Sequence, residues 1–260
     1  MSTVLESIIE GVKEDVAIRR MPAGQLAEQL SRAPKVRDAA AAIGKEGTSV
    51  IAEIKRASPS KGDLASIKDP KALAAEYVSG GASVISVLTE ERRFKGSIAD
   101  FIEVRSEVDI PLLRKDFIVS EYQVIESRAI GADLQLLIVA ALSKSELRDF
   151  YQMSHELGMN VLVEVHNQDE LEAALNIDAK IIGVNSRNLK TLEVDAGAFD
   201  LLIPLIPTDR LRVAESGIAT RLDVAHIESL GADAILVGET LVKAKSPKLG
   251  IAELLGTPSS

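Results

Sequence analysis

From residue 48 to residue 238 the chain repeats one alternation, a short apolar β-branched run followed by an amphipathic stretch. The runs fall at 48–55, 83–89, 110–115, 133–139, 160–165, 180–185, 211–215 and 234–238. Runs of this length, apolar on both faces, read as strands buried between two layers. One joint is used three times: Gly81-Ala82-Ser83, Gly131-Ala132-Asp133 and Gly231-Ala232-Asp233 each lie between a helical pattern and a strand. Such repetition argues for stacked αβ units rather than two unrelated domains. Eight strands alternating with helices leave a closed barrel or an open doubly wound sheet. No Gly-x-Gly-x-x-Gly follows the first strand, which weakens the dinucleotide-binding sheet. Eight similar units in 260 residues fit a (β/α)8 TIM barrel, an α/β fold, as one domain spanning 1–260.

The helices carry their own start signals. Asp69-Pro70 puts proline at a first helical position. Ser120-x-x-Gln123 and Ser143-x-x-Glu146 fit capping boxes. Ahead of the alternation, residues 1–46 hold no strand. Thr3-x-x-Glu6 opens a helix whose stripe is Leu5, Ile8, Ile9, Val12 and Val16, running to about Arg20. Two shorter helical pieces follow, around 24–30 and 37–43. This N-terminal helical extension serves as a lid, a plug for the barrel bottom or an oligomer contact. At the other end, residues 257–260 should fray.

Composition narrows the partners. Thirty Lys and Arg against 39 Asp and Glu give a net charge of −9, which disfavours nucleic acid. An anionic substrate then needs a local cationic site. With no cysteine there is neither a disulfide nor a thiolate metal site. His155, His166 and His226 show no metal-ligand spacing, and structural roles are expected for all three. No signal peptide is visible and no apolar run approaches a membrane span, so the cytoplasm is the expected location.

In a parallel barrel the chemistry gathers at the C-terminal strand ends. The first strand ends in Glu53 and Lys55, two apart and so on one face, followed by a Ser58-Pro59-Ser60-Lys61-Gly62 loop. Thr89-Glu90 end the second strand and Leu113-Arg114-Lys115-Asp116-Phe117 the third. Glu164 ends the fifth, Asn185 with Arg187 the sixth, Glu215-Ser216-Gly217 the seventh and Gly238-Glu239 the eighth. Gly217 and Gly238 sit where barrels of this kind build a phosphate site from backbone amides. Glu239 opposes it, because a carboxylate beside a phosphate is repulsive unless its side chain turns away.

Glu53-x-Lys55-x-x-Ser58-Pro59-Ser60 resembles the signature of the indole-3-glycerol phosphate synthase family. Leu113–Phe117, Val163-Glu164-Val165, Gly183-Val184-Asn185-Ser186-Arg187-Asn188-Leu189 and Val213-Ala214-Glu215-Ser216-Gly217-Ile218 extend the likeness over nearly the whole chain. The resemblance implies ring closure, decarboxylation and dehydration of 1-(2-carboxyphenylamino)-1-deoxyribulose 5-phosphate, without metal or organic cofactor. It makes Lys115 the acid of ring closure, its pKa drawn toward neutrality by neighbours or burial. Glu164, Lys55 and Glu53 share the acid and base of dehydration, in an order left open. Asn185, Glu215 and Ser216 position the substrate, Ser58 covers it, and Arg187 meets negative charge. Lys55, Gly217, Gly238 and Glu239 line the phosphate, while Phe94, Phe117 and Leu189 hold the aryl ring. The chain is expected to be monofunctional and a monomer or weak homo-oligomer. The rivals are a phosphate-binding aldolase using Lys115 or Lys55 as a Schiff base, and a barrel that only binds a ligand.

Overall fold

Eight parallel strands close into a barrel in which each strand pairs with its neighbours in sequence. The computed structural model describes residues 3–189 and 191–257. Of the end expected to fray, 257–260, residues 258–260 lie outside them. The strands are β1 Ser49–Ile54, β2 Val84–Leu88, β3 Leu112–Lys115, β4 Leu134–Ile138, β5 Asn160–Val165, β6 Ile181–Asn185, β7 Leu211–Glu215 and β8 Ala234–Val237. Each of the three repeated joints turns on a left-handed glycine: Gly81, Gly131 and Gly231 have φ of +97°, +93° and +93°. Only glycine adopts that conformation without strain.

Twelve helices accompany the strands among the described residues. Three precede the barrel: α1 Val4–Arg19, α2 Ala23–Ser31 and α3 Ala39–Ile43. Those that matter to the site are α6 Glu121–Ala129, α8 Gln168–Asn176 and α11 Glu239–Lys243. The capping box of α1 is complete, with Glu6 N donating to Thr3 Oγ1 at 3.2 Å and Thr3 N to Glu6 Oε2 at 2.7 Å. The box at Ser143 is also complete. At Ser120 the reciprocal half differs, because the Gln123 side chain accepts from Val119 N instead.

Side-chain alternation along the strands divides the core in two. Outward residues such as Val50, Ile85, Val163 and Ile235 pack under the surrounding helices. Inward residues such as Ile51, Leu113, Leu134 and Val213 fill the barrel, and this inner cluster continues into Leu5, Ile8, Val12 and Val16 of α1 and Ile43 of α3. The extension therefore touches both ends of the barrel. Ser49 at the strand's start donates to Ala42 O at the end of α3, closing the bottom. The apolar stripe of α1 reaches the opposite end, where Leu5 and Ile8 meet the mouth.

A buried ionic network secures α1. Arg114, fully buried, donates to Asp116 Oδ2 at 3.0 Å and to Glu126 Oε2 at 2.9 Å on α6. Arg19 of α1 grips the same Glu126 through both its oxygens, at 3.0 and 3.1 Å. Among the described residues no helix is long and apolar enough to cross a membrane.

Candidate active site at the barrel mouth

The C-terminal strand ends enclose a cavity of about 500 Å3. Alternation decides what each strand contributes. Glu53 is the last inward residue of β1, and Lys55 Nζ folds back to pair with Glu53 Oε2. Lys115 at the end of β3 points in, whereas Arg114 beside it points into the wall. Glu164 is the last inward residue of β5, Asn185 ends β6 and Glu215 ends β7, and all three face the cavity. Lys115 Nζ stands 3.0 Å from Glu164 Oε2 and 3.1 Å from Glu215 Oε2. Residues 49 to 100 positions apart in sequence thus meet at one point.

Two glycines make room for this cluster. A Cβ at Gly183 would lie 2.1 Å from Glu215 Oε1, and one at Gly238 would lie 2.4 Å from Glu53 Oε2. At Gly238 the first requirement for glycine is therefore the Glu53 carboxylate, where the sequence suggests only a phosphate.

The electrostatics correct one expectation. Burial favours neutral Lys115, but Glu164, Glu215 and Glu53 outweigh it and push its pKa above the ordinary range. The ammonium is not drawn toward neutrality, because its neighbours are carboxylates rather than cations. Burial acts on the carboxylates too. For Glu164, Lys115 and His166 overcome burial and hold the pKa below the usual range. For Glu215, burial prevails over Lys115, reinforced by repulsion from Glu164 and Glu53, and the pKa rises. Three carboxylates facing two lysines leave one of them ready to take a proton, and the group titrates as a unit.

Around the cluster the lining divides. One wall is apolar: Leu88 of β2, Leu136 and Ile138 of β4, Phe94, Phe117 and Leu189. The Phe94 and Phe117 rings lie 6.1 Å apart at 41°. Leu5 and Ile8 of α1 complete this wall. The opposite corner is cationic and glycine-lined. Ser216 and Gly217 turn left-handed there, with φ of +69° and +70°, and Gly238 caps α11. Arg187 reaches over, donating to Ser60 Oγ at 3.2 Å and Leu192 O at 2.9 Å. Glu239 lines this corner already paired, with Lys61 at 2.7 Å and Lys243 at 2.8 Å. The repulsion expected of this carboxylate is thereby cancelled locally.

The loop after β1 is more ordered than its Pro, Ser and Gly content suggests. Ala57–Ser58 and Gly62–Asp63 pair as a small antiparallel hairpin, carrying Ser58 over the mouth. One other expectation does not hold. Thr89 and Glu90 are not cavity groups. Thr89 joins the Arg114–Asp116 network, and Glu90 accepts the backbone N–H groups of Arg92, Arg93 and Phe94 to shape that loop. His166, the one histidine that the sequence puts near the rim, has its Nε2 3.2 Å from Glu164 Oε1.

Every other residue expected at the site lines this one cavity, from Glu53, Lys55 and Ser58 to Ser216, Gly217, Gly238 and Glu239. Sequence reasoning missed Leu5, Ile8, Lys61, Lys243 and Gly183. The α1 stripe was visible, but nothing in it names the surface it covers.

The indole-3-glycerol phosphate synthase family model matches residues 5–254. The indole-3-glycerol phosphate synthase of Paenarthrobacter aurescens (strain TC1) is 58% identical over 258 residues, covering 96% of this chain and 95% of that protein. The synthase of Streptomyces griseus subsp. griseus is 52% identical over 255 residues, covering 97% and 95%. A crystal structure of 3-hexulose-6-phosphate synthase from Salmonella typhimurium shares the fold, with a TM-score of 0.65 at 14% identity over 80% of this chain and 97% of that one. By its sequence and its barrel, this chain belongs to the indole-3-glycerol phosphate synthase family.

Proposed function

We infer that the chain is a carboxy-lyase of tryptophan biosynthesis that converts 1-(2-carboxyphenylamino)-1-deoxyribulose 5-phosphate to indole-3-glycerol phosphate, carbon dioxide and water at this mouth. The observation that carries the residue assignment is Lys115 held between Glu164 and Glu215 in a chamber with one apolar wall and one cationic corner. The aryl ring lies against Phe94, Phe117, Leu189 and α1. The phosphate lies toward Gly217, Gly238 and the Glu239 amide, with Lys55 and Arg187 near its charge and Ser58 covering it.

In ring closure the aryl carbon bearing the carboxylate attacks the ketone carbon. The carbonyl electron pair moves to oxygen, which takes a proton from Lys115. A lysine of raised pKa is a weak acid toward a carbonyl. It is strong enough toward the alkoxide that forms, whose basicity is close to that of hydroxide. Until transfer, the ammonium stabilises the growing negative charge. Loss of carbon dioxide then returns an electron pair to the ring and restores aromaticity. Dehydration needs an acid at the departing hydroxyl and a base for the nitrogen-side proton. Lys55, paired with Glu53, serves as the acid and Glu164 as the base. Asn185, Glu215 and Ser216 orient the substrate.

A Schiff-base aldolase reading fits less well, because a nucleophilic lysine needs a depressed pKa and Lys115 has the opposite. We read the 260 residues as one catalytic unit, with 1–46 as its helical extension. The enzyme is taken as cytoplasmic, a monomer or weak homo-oligomer, without nucleic-acid partners or cofactors. The assay is direct. The chain has no Trp, so indole fluorescence from substrate and purified protein reports product. Growth of that signal is expected. Its absence, or borohydride trapping of a lysine adduct, rejects the reading.

A further inference from the structure

We propose that His166 is a positioning residue for the reaction, wedged between Glu164 and Glu170 so that it fixes the Glu164 carboxylate as an oriented anion facing Lys115. This rests on the functional reading above and adds to it a residue that does not line the chamber.

The geometry is a chain of alternating charge. Glu164 Oε2 faces Lys115 Nζ at 3.0 Å, and Oε1 faces His166 Nε2 at 3.2 Å. His166 Nδ1 faces Glu170 Oε2 at 3.0 Å, and the same oxygen accepts the His166 backbone N–H at 2.8 Å. The other Glu170 oxygen accepts from Asn167 Nδ2 at 2.7 Å. Asn167 caps α8 by accepting from Glu170 N at 3.0 Å, so the first turn of that helix sets where Glu170 stands. The ring is thus held from behind and cannot leave Glu164 without breaking the α8 entry.

The groups facing this chain are Lys115 from β3 and Glu170 from α8, with Glu215 of β7 and Glu53 of β1 acting on Lys115. Burial favours a neutral ring, but Glu164 and Glu170 prevail and raise the His166 pKa to about 10. His166 is therefore an imidazolium at neutral pH. It adds a third cation to a site where three carboxylates face two lysines. The Glu164–His166 contact occupies the buried Oε1, so Oε2 is the oxygen presented to Lys115.

The test compares the parent with His166→Gln and His166→Lys. Loss of the imidazolium raises the proton affinity of Glu164. In His166→Gln, kcat near neutral pH should fall about tenfold or more, with KM within about threefold. The acid limb of the kcat profile should move up by at least about half a unit. His166→Lys should return the limb toward the parent position. Parallel thermal unfolding excludes misfolding. A His166→Gln profile that superimposes on the parent's overturns the proposal, and so does a lower kcat with an unmoved limb. A second readout is independent of turnover. With three histidines in the chain, NMR resolves each imidazole. The His166 ring should remain protonated well above the ordinary value of about 6.5, and that hold should weaken in Glu164→Gln. A ring titrating near the ordinary value in both proteins rejects the contact. If the parent forms no indole while the ring titrates as expected, the functional reading fails and the contact stands.

Discussion

Gly183→Ala tests how tightly the reacting cluster is built. Gly183 lies on β6, paired in register with Val213 of β7, and Glu215 lies two residues further along that strand. The added methyl carbon would sit 2.1 Å from Glu215 Oε1 and 3.2 Å from Leu162 Cδ1. Carbon and oxygen do not approach that closely, so the carboxylate must retreat by about 1 Å to regain ordinary contact. Barrel backbone cannot yield, because both strands are laddered on each side. Glu215 Oε2 is 3.1 Å from Lys115 Nζ, and a shift of that size breaks the contact. A misplacement of about 1 Å costs roughly 100-fold in rate, and overpacking costs about 1–3 kcal/mol of stability. Turnover by indole fluorescence should therefore fall about 100-fold with a modest fall in unfolding midpoint. In a Glu215→Ala background the same substitution should cost almost nothing further. Activity within twofold of the parent refutes the reasoning, as does an undiminished cost in that background.

Three further outcomes follow from the same geometry. Glu164→Gln should slow dehydration by about 100-fold or more, so that single-turnover traces accumulate a species before the indole; an unchanged rate for that step removes Glu164 as the base. Ile8→Ala opens the apolar wall and should raise KM about tenfold with a smaller effect on kcat, about 1.4 kcal/mol of lost binding; an unchanged KM places α1 outside the substrate site. Arg114 and Arg19 outweigh burial and hold Glu126 below the ordinary carboxylate range. A depressed folded pKa stabilises above the unfolded value of about 4.3, and this support is lost as pH falls through the folded value. Urea midpoints should therefore drop from about pH 4.3 downward, and Arg19→Met should flatten that drop; parallel curves discount the network.

The barrel was legible because its strands are apolar on both faces and its joints repeat. Boundaries were less so. The third run reads from residue 110, but β3 begins at Leu112, since Pro111 has no N–H for the ladder. Lys55 reads as strand yet stands just past Ile54, where pairing with β2 ends. The site was legible to the extent that strand ends share one mouth. What sequence could not carry were contacts that cross elements. The sign of the Lys115 shift depends on which charges gather around it, and those come from β1, β5 and β7. Thr89 and Arg114 look like rim groups until alternation turns them into the wall. His166 stands near the rim in sequence, but its contact with Glu164 depends on Glu170 in the next helix.

Turnover of Lys115→Met is the most direct measurement of the whole account. Methionine keeps the length of the side chain and removes the ammonium between Glu164 and Glu215. The account predicts that indole formation falls by about four orders of magnitude, the combined loss of acid and electrostatic terms, while substrate still binds. Indole formation near the parent rate in that variant would contradict it.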